Sequence, residues 1–180
     1  MKKLLLLFGM CLSLSFYITA QENNVKGKII KDFGQPFSVE SPDIKTDIKT
    51  EHKVIFDVNK SSEDNSTINK YIVTAARFLN MHAASGMKPE QLHVAITIHG
   101  GAWKDAMTNE AYKEKYGVDN PNLELINQLT EAGVDVILCG QTAGARGLNK
   151  DNVNSQVKFA LSAMTALLQY QNNGYRFLTF

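Results

Sequence analysis

From His52 onward the chain alternates short runs of β-branched apolar residues with longer stretches of helical period. Residues 53–58, 92–98 and 134–138 are short, mostly apolar runs rich in β-branched residues, the pattern of buried strands. Residues 157–161 and 175–180 read as two further strands. Between them, Ile68, Ile72, Ala75, Ala76, Leu79 and Ala83 recur at helical spacing, as do Leu123, Ile126, Leu129 and Ala132. Met164, Leu167 and Leu168 mark one side of a helix over 162–172, and residues 105–116 predict a short polar helix. Gly86, Gly117, Gly133 and Gly174 stand where these helices should stop. Asn120-Pro121 reads as a cap followed by proline at the first helical position. Residues 140–147 read as a glycine-rich loop. Strand–helix alternation of this kind predicts an α/β fold with a central, mostly parallel sheet of about five strands and helices on both faces.

The first twenty residues have another character. Lys2 and Lys3 precede an apolar stretch over 4–18, and Ile18-Thr19-Ala20 is a tolerable cleavage site. This reads as a signal peptide over 1–20 and predicts an exported protein, periplasmic or secreted, with no membrane attachment after cleavage. Residues 21–51 form a polar leader with turn signals at Gly34-Gln35-Pro36 and Ser41-Pro42. It could be an edge strand or an arm on a neighbour, or a solvated segment. The α/β domain is placed at 52–180.

Charge narrows the partners. The formal net charge is +1, and removal of Lys2 and Lys3 turns it to −1. The basic residues are scattered, so no field recruits nucleic acid. Cleavage would also remove Cys11 and leave Cys139 as the one cysteine. Exported proteins usually hold cysteines in disulfides, which makes a lone thiol notable.

In open parallel sheets, ligands collect beyond the carboxyl ends of the strands. Three strand ends carry polar side chains here: Asp57, His99 and Cys139. Gly100, Gly101 and Gly140 beside them allow sharp turns and open amide groups. Gln141 and Thr142 continue the turn after Cys139, and Arg146 could add positive charge. A free thiol is only about 3% ionised at pH 7, so chemistry at Cys139 would need a lowered pKa. His99 could orient or deprotonate it. The plainer readings are a small buried apolar residue for Cys139 and a strand-end histidine bonded to a carbonyl for His99. No ligand pair has metal-like spacing, so no metal site is expected. A Gly-x-Ser-x-Gly elbow, a P-loop and a dinucleotide fingerprint are all missing from the sequence.

Lys53-Val-Ile-Phe-Asp-Val58, Ala75-Ala-Arg-Phe-Leu-Asn-Met-His82, Ile98-His-Gly-Gly-Ala102 and Ile137-Leu-Cys-Gly-Gln141 together resemble the DsrE/DsrF-like (YchN-like) family. Ala160-Leu-Ser-Ala-Met-Thr-Ala-Leu-Leu168 and Gly174-Tyr175 are similar too. The resemblance spans roughly 52–180. It implies a three-layer α/β/α fold and homo-oligomers, commonly trimers or hexamers, with pockets between subunits. It also implies a persulfide carrier, or sulfurtransferase-like protein. Cys139 would take a sulfane sulfur from a donor and pass it to an acceptor thiol, with no required cofactor. Export and the extra leader depart from the best-understood members. The competing expectation is a non-enzymatic homo-oligomer that binds a small ligand or protein partner between subunits.

Overall fold

The computed structural model describes residues 25–179; the signal-peptide reading of residues 1–20 lies outside them. Five strands form one parallel sheet: β1 (His52–Val58), β2 (Leu92–Ile98), β3 (Asp135–Cys139), β4 (Lys158–Ala160) and β5 (Arg176–Leu178). Their spatial order is β4-β3-β2-β1-β5. The chain steps in one direction from β1 to β4, then returns across the whole sheet to β5. Right-handed crossovers must then lay the early helices on one face and the returning helix on the other.

The packing shows this division. Helices α1 (Lys70–Ala84) and α3 (Leu123–Glu131) cover the face to which Val54, Phe56, Val58, Val94, Ile96, Ile98, Val136 and Leu138 point. The short α2 (Asn109–Tyr116) precedes α3. Helix α5 (Ala163–Asn172) packs across β1, β2 and β3 on the opposite face, over Ile55, Ala95 and Ile137. Strand side chains alternate by two, so both faces need apolar residues. The result is the three-layer α/β/α fold that the sequence predicts.

Helix α1 shows how the local code works. The Asn69 side chain accepts the Tyr71 N–H and caps its start. Ile72, Ala75, Ala76, Leu79 and Ala83 bury its inner stripe. Gly86, at φ +103°, follows the end in a conformation that side-chain-bearing residues avoid. Asn80 is also buried in α1, although it is polar. Its Oδ1 accepts the N–H groups of Ile29 and Ile30, and its Nδ2 donates to the carbonyls of Ile30, Phe33 and Gly34. One side chain thus clamps the first part of the leader onto α1. Gly34 (φ +66°) lies so close that a Cβ there would stand 2.4 Å from the Arg77 nitrogen.

Three expectations are corrected. Residues 140–147 are not a loop: Gly140–Arg146 is a helix, α4, closed by Gly147 at φ +69°. The two glycines lower helix propensity, but Gly140 is required for another reason. A Cβ there would meet the Ala160 carbonyl oxygen at 2.6 Å, so close packing decides the residue and not the backbone angle. Second, the polar helix begins at Asn109, after Thr108 caps it by accepting the Ala111 N–H. The preceding Gly100–Ala106 is a 3-10 helix. Third, α3 begins at Leu123 and Asn120 is not its cap. The Asn120 side chain is buried and donates to the Asp105 and Met107 carbonyls.

Candidate functional site

Strand register assembles the site. Asp57 pairs with Thr97, and Thr97 with Ile137, so one row crosses three strands. By alternation, Asp57 and Thr97 point to the α5 side, as do His99 and Cys139 one step further along β2 and β3. The topology therefore gathers Asp57, His99 and Cys139 at the carboxyl ends of three adjacent strands.

Cys139 occupies the N-cap position of α4, where its sulfur accepts the Thr142 N–H at 3.5 Å. Serine, threonine, aspartate and asparagine usually fill that position. The residue is 5% exposed, so in the single chain the thiol does not face solvent. Its surroundings are nonetheless polar. Burial pushes the thiol pKa up, but hydrogen bonds from the Thr142 hydroxyl and from the N–H groups of Thr142, Ala163 and Gln141 outweigh it. The net shift is downward. Ala163 is the first residue of α5, so the amino ends of two helices converge on the sulfur. Unpaired N–H groups at helix starts favour negative charge, which on sulfur means the thiolate.

His99 lies beside this group. Its Nε2 stands 3.0 Å from Asp57 Oδ1, close but not aligned for an in-line hydrogen bond. The same carboxylate oxygen accepts the Thr97 hydroxyl at 2.7 Å. The Asp57 carboxylate raises the His99 pKa above the ordinary imidazole value; burial opposes this, and charge on Cys139 adds to it. For Asp57 burial works upward, but His99 and Thr97 hold it below the usual carboxylate range. The three groups can thus share charge as carboxylate, imidazolium and thiolate.

The glycines do less than their spacing promises. Gly101 donates its N–H to the Asn59 carbonyl at 2.8 Å, and the Gly100 N–H reaches the Thr142 hydroxyl oxygen at 3.4 Å. These amides brace the loop after β2 against α4 and are not open to a ligand. The Gln141 side chain donates to the Leu161 carbonyl at 3.2 Å and ties α4 to the start of α5. Arg146 ends α4 and lies with its guanidinium carbon 5.6 Å from the centroid of the Trp103 ring. Lys115 approaches the same ring, and the three line a separate cavity of about 380 Å³. Arg146 is not among the groups that act on the sulfur.

One polar centre is illegible in the sequence. Asp105 is 1% exposed and accepts from Ser61 Oγ at 2.6 Å, Asn69 Nδ2 at 2.7 Å and Asn122 Nδ2 at 3.1 Å. Burial pushes its pKa up. Ser61 and Asn69 come from the connection between β1 and α1, and Asn122 from the turn before α3, so the carboxylate joins the connections around the α1 and α3 starts. Only an unusual density of Asn and Asp at predicted helix starts hints at it.

A profile of the DsrE/DsrF-like family matches residues 53–180. The chain belongs to the DsrE/DsrF-like family. Many members of this family relay sulfur, and members generally form oligomers. Among solved structures, the chain is similar to the protein of unknown function MTH1491 from Methanobacterium thermoautotrophicum, at 15% identity and a TM-score of 0.55. That likeness covers 72% of this chain and all of the other. The YchN protein of E. coli is similar at 17% identity and a TM-score of 0.51, over 72% of this chain and 99% of that one. At such identities the two structures support the DsrE-like fold alone. No curated protein matches the sequence. The matched residues begin at β1, so the clamped leader lies before the family domain.

Proposed function

We propose that this DsrE-like protein is an exported sulfur carrier that holds sulfane sulfur on Cys139 as a persulfide. The observation that carries the reading is the meeting of two helix amino ends at one sulfur, with an Asp57–His99 pair alongside. In the proposed step, the Cys139 thiolate attacks the outer sulfur of a donor persulfide. A new S–S bond forms on Cys139, the donor's S–S bond breaks, and the donor leaves as a thiolate. An acceptor thiolate then attacks the outer sulfur of the Cys139 persulfide and restores the Cys139 thiolate. Neither step needs an external oxidant or reductant. His99 holds a proton near the reacting sulfurs, and Asp57 keeps it on the imidazole. Lys2 and Lys3 followed by the apolar stretch over 4–18 support the exported part of this reading, and a trimer or hexamer is the expected assembly.

Intact-mass spectrometry after incubation with polysulfide tests the proposal. The purified protein should gain about 32 Da, one sulfur atom, and lose it to dithiothreitol. Cys139→Ser should gain nothing. Equal gain in both proteins, or none in either, refutes the carrier role. A second reading draws on the 5% exposure of Cys139: a ligand-binding oligomer in which the thiol only packs. It expects ligand or partner binding to survive Cys139→Ser.

A further inference from the structure

Two apolar surfaces have no partner among the described residues, and they belong to opposite sides of the molecule. One is the arm formed by residues 37–51, all of which are exposed. It presents Phe37 (68% exposed), Val39 (70%), Ile44 (89%) and Ile48 (45%) to solvent. Both its flanks are held. Asn80 fastens residues 29–34 to α1, and Gln91 Nε2 donates to the Ile48 carbonyl at 3.0 Å.

The second surface is the outer side of α5. Met164 (72%) and Leu168 (61%) are spaced to share one side of the helix, and Leu161 (72%) is exposed just before its cap. Phe177, in register with Ile55, turns to the same face of the sheet and is 42% exposed. No charged residue occurs between Lys158 and Arg176. A helix side that met only water would be expected to carry charge, and exposed apolar patches of this kind mark contacts.

The arm is fastened to the α1 face, whereas α5 covers the other face, so the two surfaces belong together only between copies. Charge agrees. The arm carries Glu40, Asp43, Asp47 and Glu51 against Lys45 and Lys49; beside α5, Lys158 is already paired with Asp135, which leaves Arg176 as the cation that faces the arm's acids. We propose that residues 37–51 of one copy lie across α5 of a second copy. The two surfaces differ, so the contact is heterologous and passes from copy to copy until a ring closes. Because α5 begins at Ala163, whose N–H faces the Cys139 sulfur, a neighbour's arm would border the sulfur site. This deepens the sulfur-carrier reading and rests on it only for what Cys139 does.

The test uses two proteins in which Cys11 and Cys139 are serine, one with Ile44→Cys and one carrying a mass tag with Leu168→Cys. They are mixed and oxidised, and their disulfides are identified by mass spectrometry. The expected product joins Ile44→Cys of one chain to Leu168→Cys of the other, in at least ~10-fold excess over either like-with-like dimer. In parallel, sedimentation equilibrium of proteins that retain Cys139 should show association at least ~10-fold weaker in Ile44→Asp and in Leu168→Asp, a hot-spot effect. Far-UV circular dichroism checks that these exposed substitutions leave the fold intact. A dominant Leu168-to-Leu168 product, a monomeric parent protein, or association indifferent to Ile44→Asp would each overturn the arm contact. Sulfur gain on Cys139, read in the parent protein, decides the carrier role separately.

Discussion

The two faces of the sheet are built for different ends. The α1 and α3 face is dry: Ile72, Leu79, Leu125, Ile126 and Leu129 close over strand residues that are almost wholly buried. The α5 face has a smaller buried cluster, Ile55, Ala95, Ile137 and Ala166, with polar groups at the strand ends and exposed apolar side chains on its helix. The difference teaches where each property resides. One face supplies most of the stability. The other gives up coverage to hold a thiol, an imidazole and a carboxylate at one rim.

Matched truncations would break or sharpen that contrast most strongly. Leu129→Ala, on the dry face, should cost about 2–5 kcal/mol in urea unfolding. Leu167→Ala, half-buried on the α5 face, should cost roughly 1–2 kcal/mol. Equal costs would show that the faces share the core evenly. Asp105→Ala should cost about 3 kcal/mol, because Ser61, Asn69 and Asn122 lose their common acceptor while partly or wholly buried. The same substitution should leave the Cys139 pKa, read by titration of the Cβ chemical shift, unmoved. Movement there would mean that the polar centre and the sulfur site are coupled.

A pH series separates the rim from the core on a smaller scale. The His99 pKa is raised in the folded protein, so the His99–Asp57 pair stabilises fully below the unfolded imidazole value. That contribution should fade as pH rises through the raised folded value. Asp57 is lowered, so its share is lost only as pH falls through its folded value, in acid. Both groups are partly exposed, so the stability change should be no more than about 1 kcal/mol. His99→Gln should flatten the neutral-pH slope of unfolding free energy; an unchanged slope would remove the pair from the account.

Much of the dry face is legible in the sequence, because its signal is repetition. The α1 stripe recurs at helical spacing, and the three central strands are short runs rich in β-branched apolar residues. Cys139, His99 and Asp57 are legible as strand ends for the same reason: fixing the strands fixes their tips. What escapes a sequence reading depends on distant residues. Gly140 reads as loop because glycine disfavours helices, yet it is small to admit the Ala160 carbonyl. Ala163 gives its N–H to a sulfur that lies 24 positions earlier in the chain. Asn80 looks like a surface position on a helix until the leader folds over it. Arg146 is near Cys139 in sequence, but a full α4 separates their ends.

The central claim is that the Thr142 hydroxyl and the N–H groups at the starts of α4 and α5 hold the Cys139 thiol pKa below its ordinary value. Its most direct test follows the Cβ chemical shift of carbon-13-labelled Cys139 against pH, a reading that needs no reagent to reach the sulfur. A midpoint below that of an ordinary cysteine thiol, moving upward in Thr142→Ala as a donor is lost, is the expected result. A midpoint at or above the ordinary thiol value, indifferent to Thr142→Ala, would contradict it.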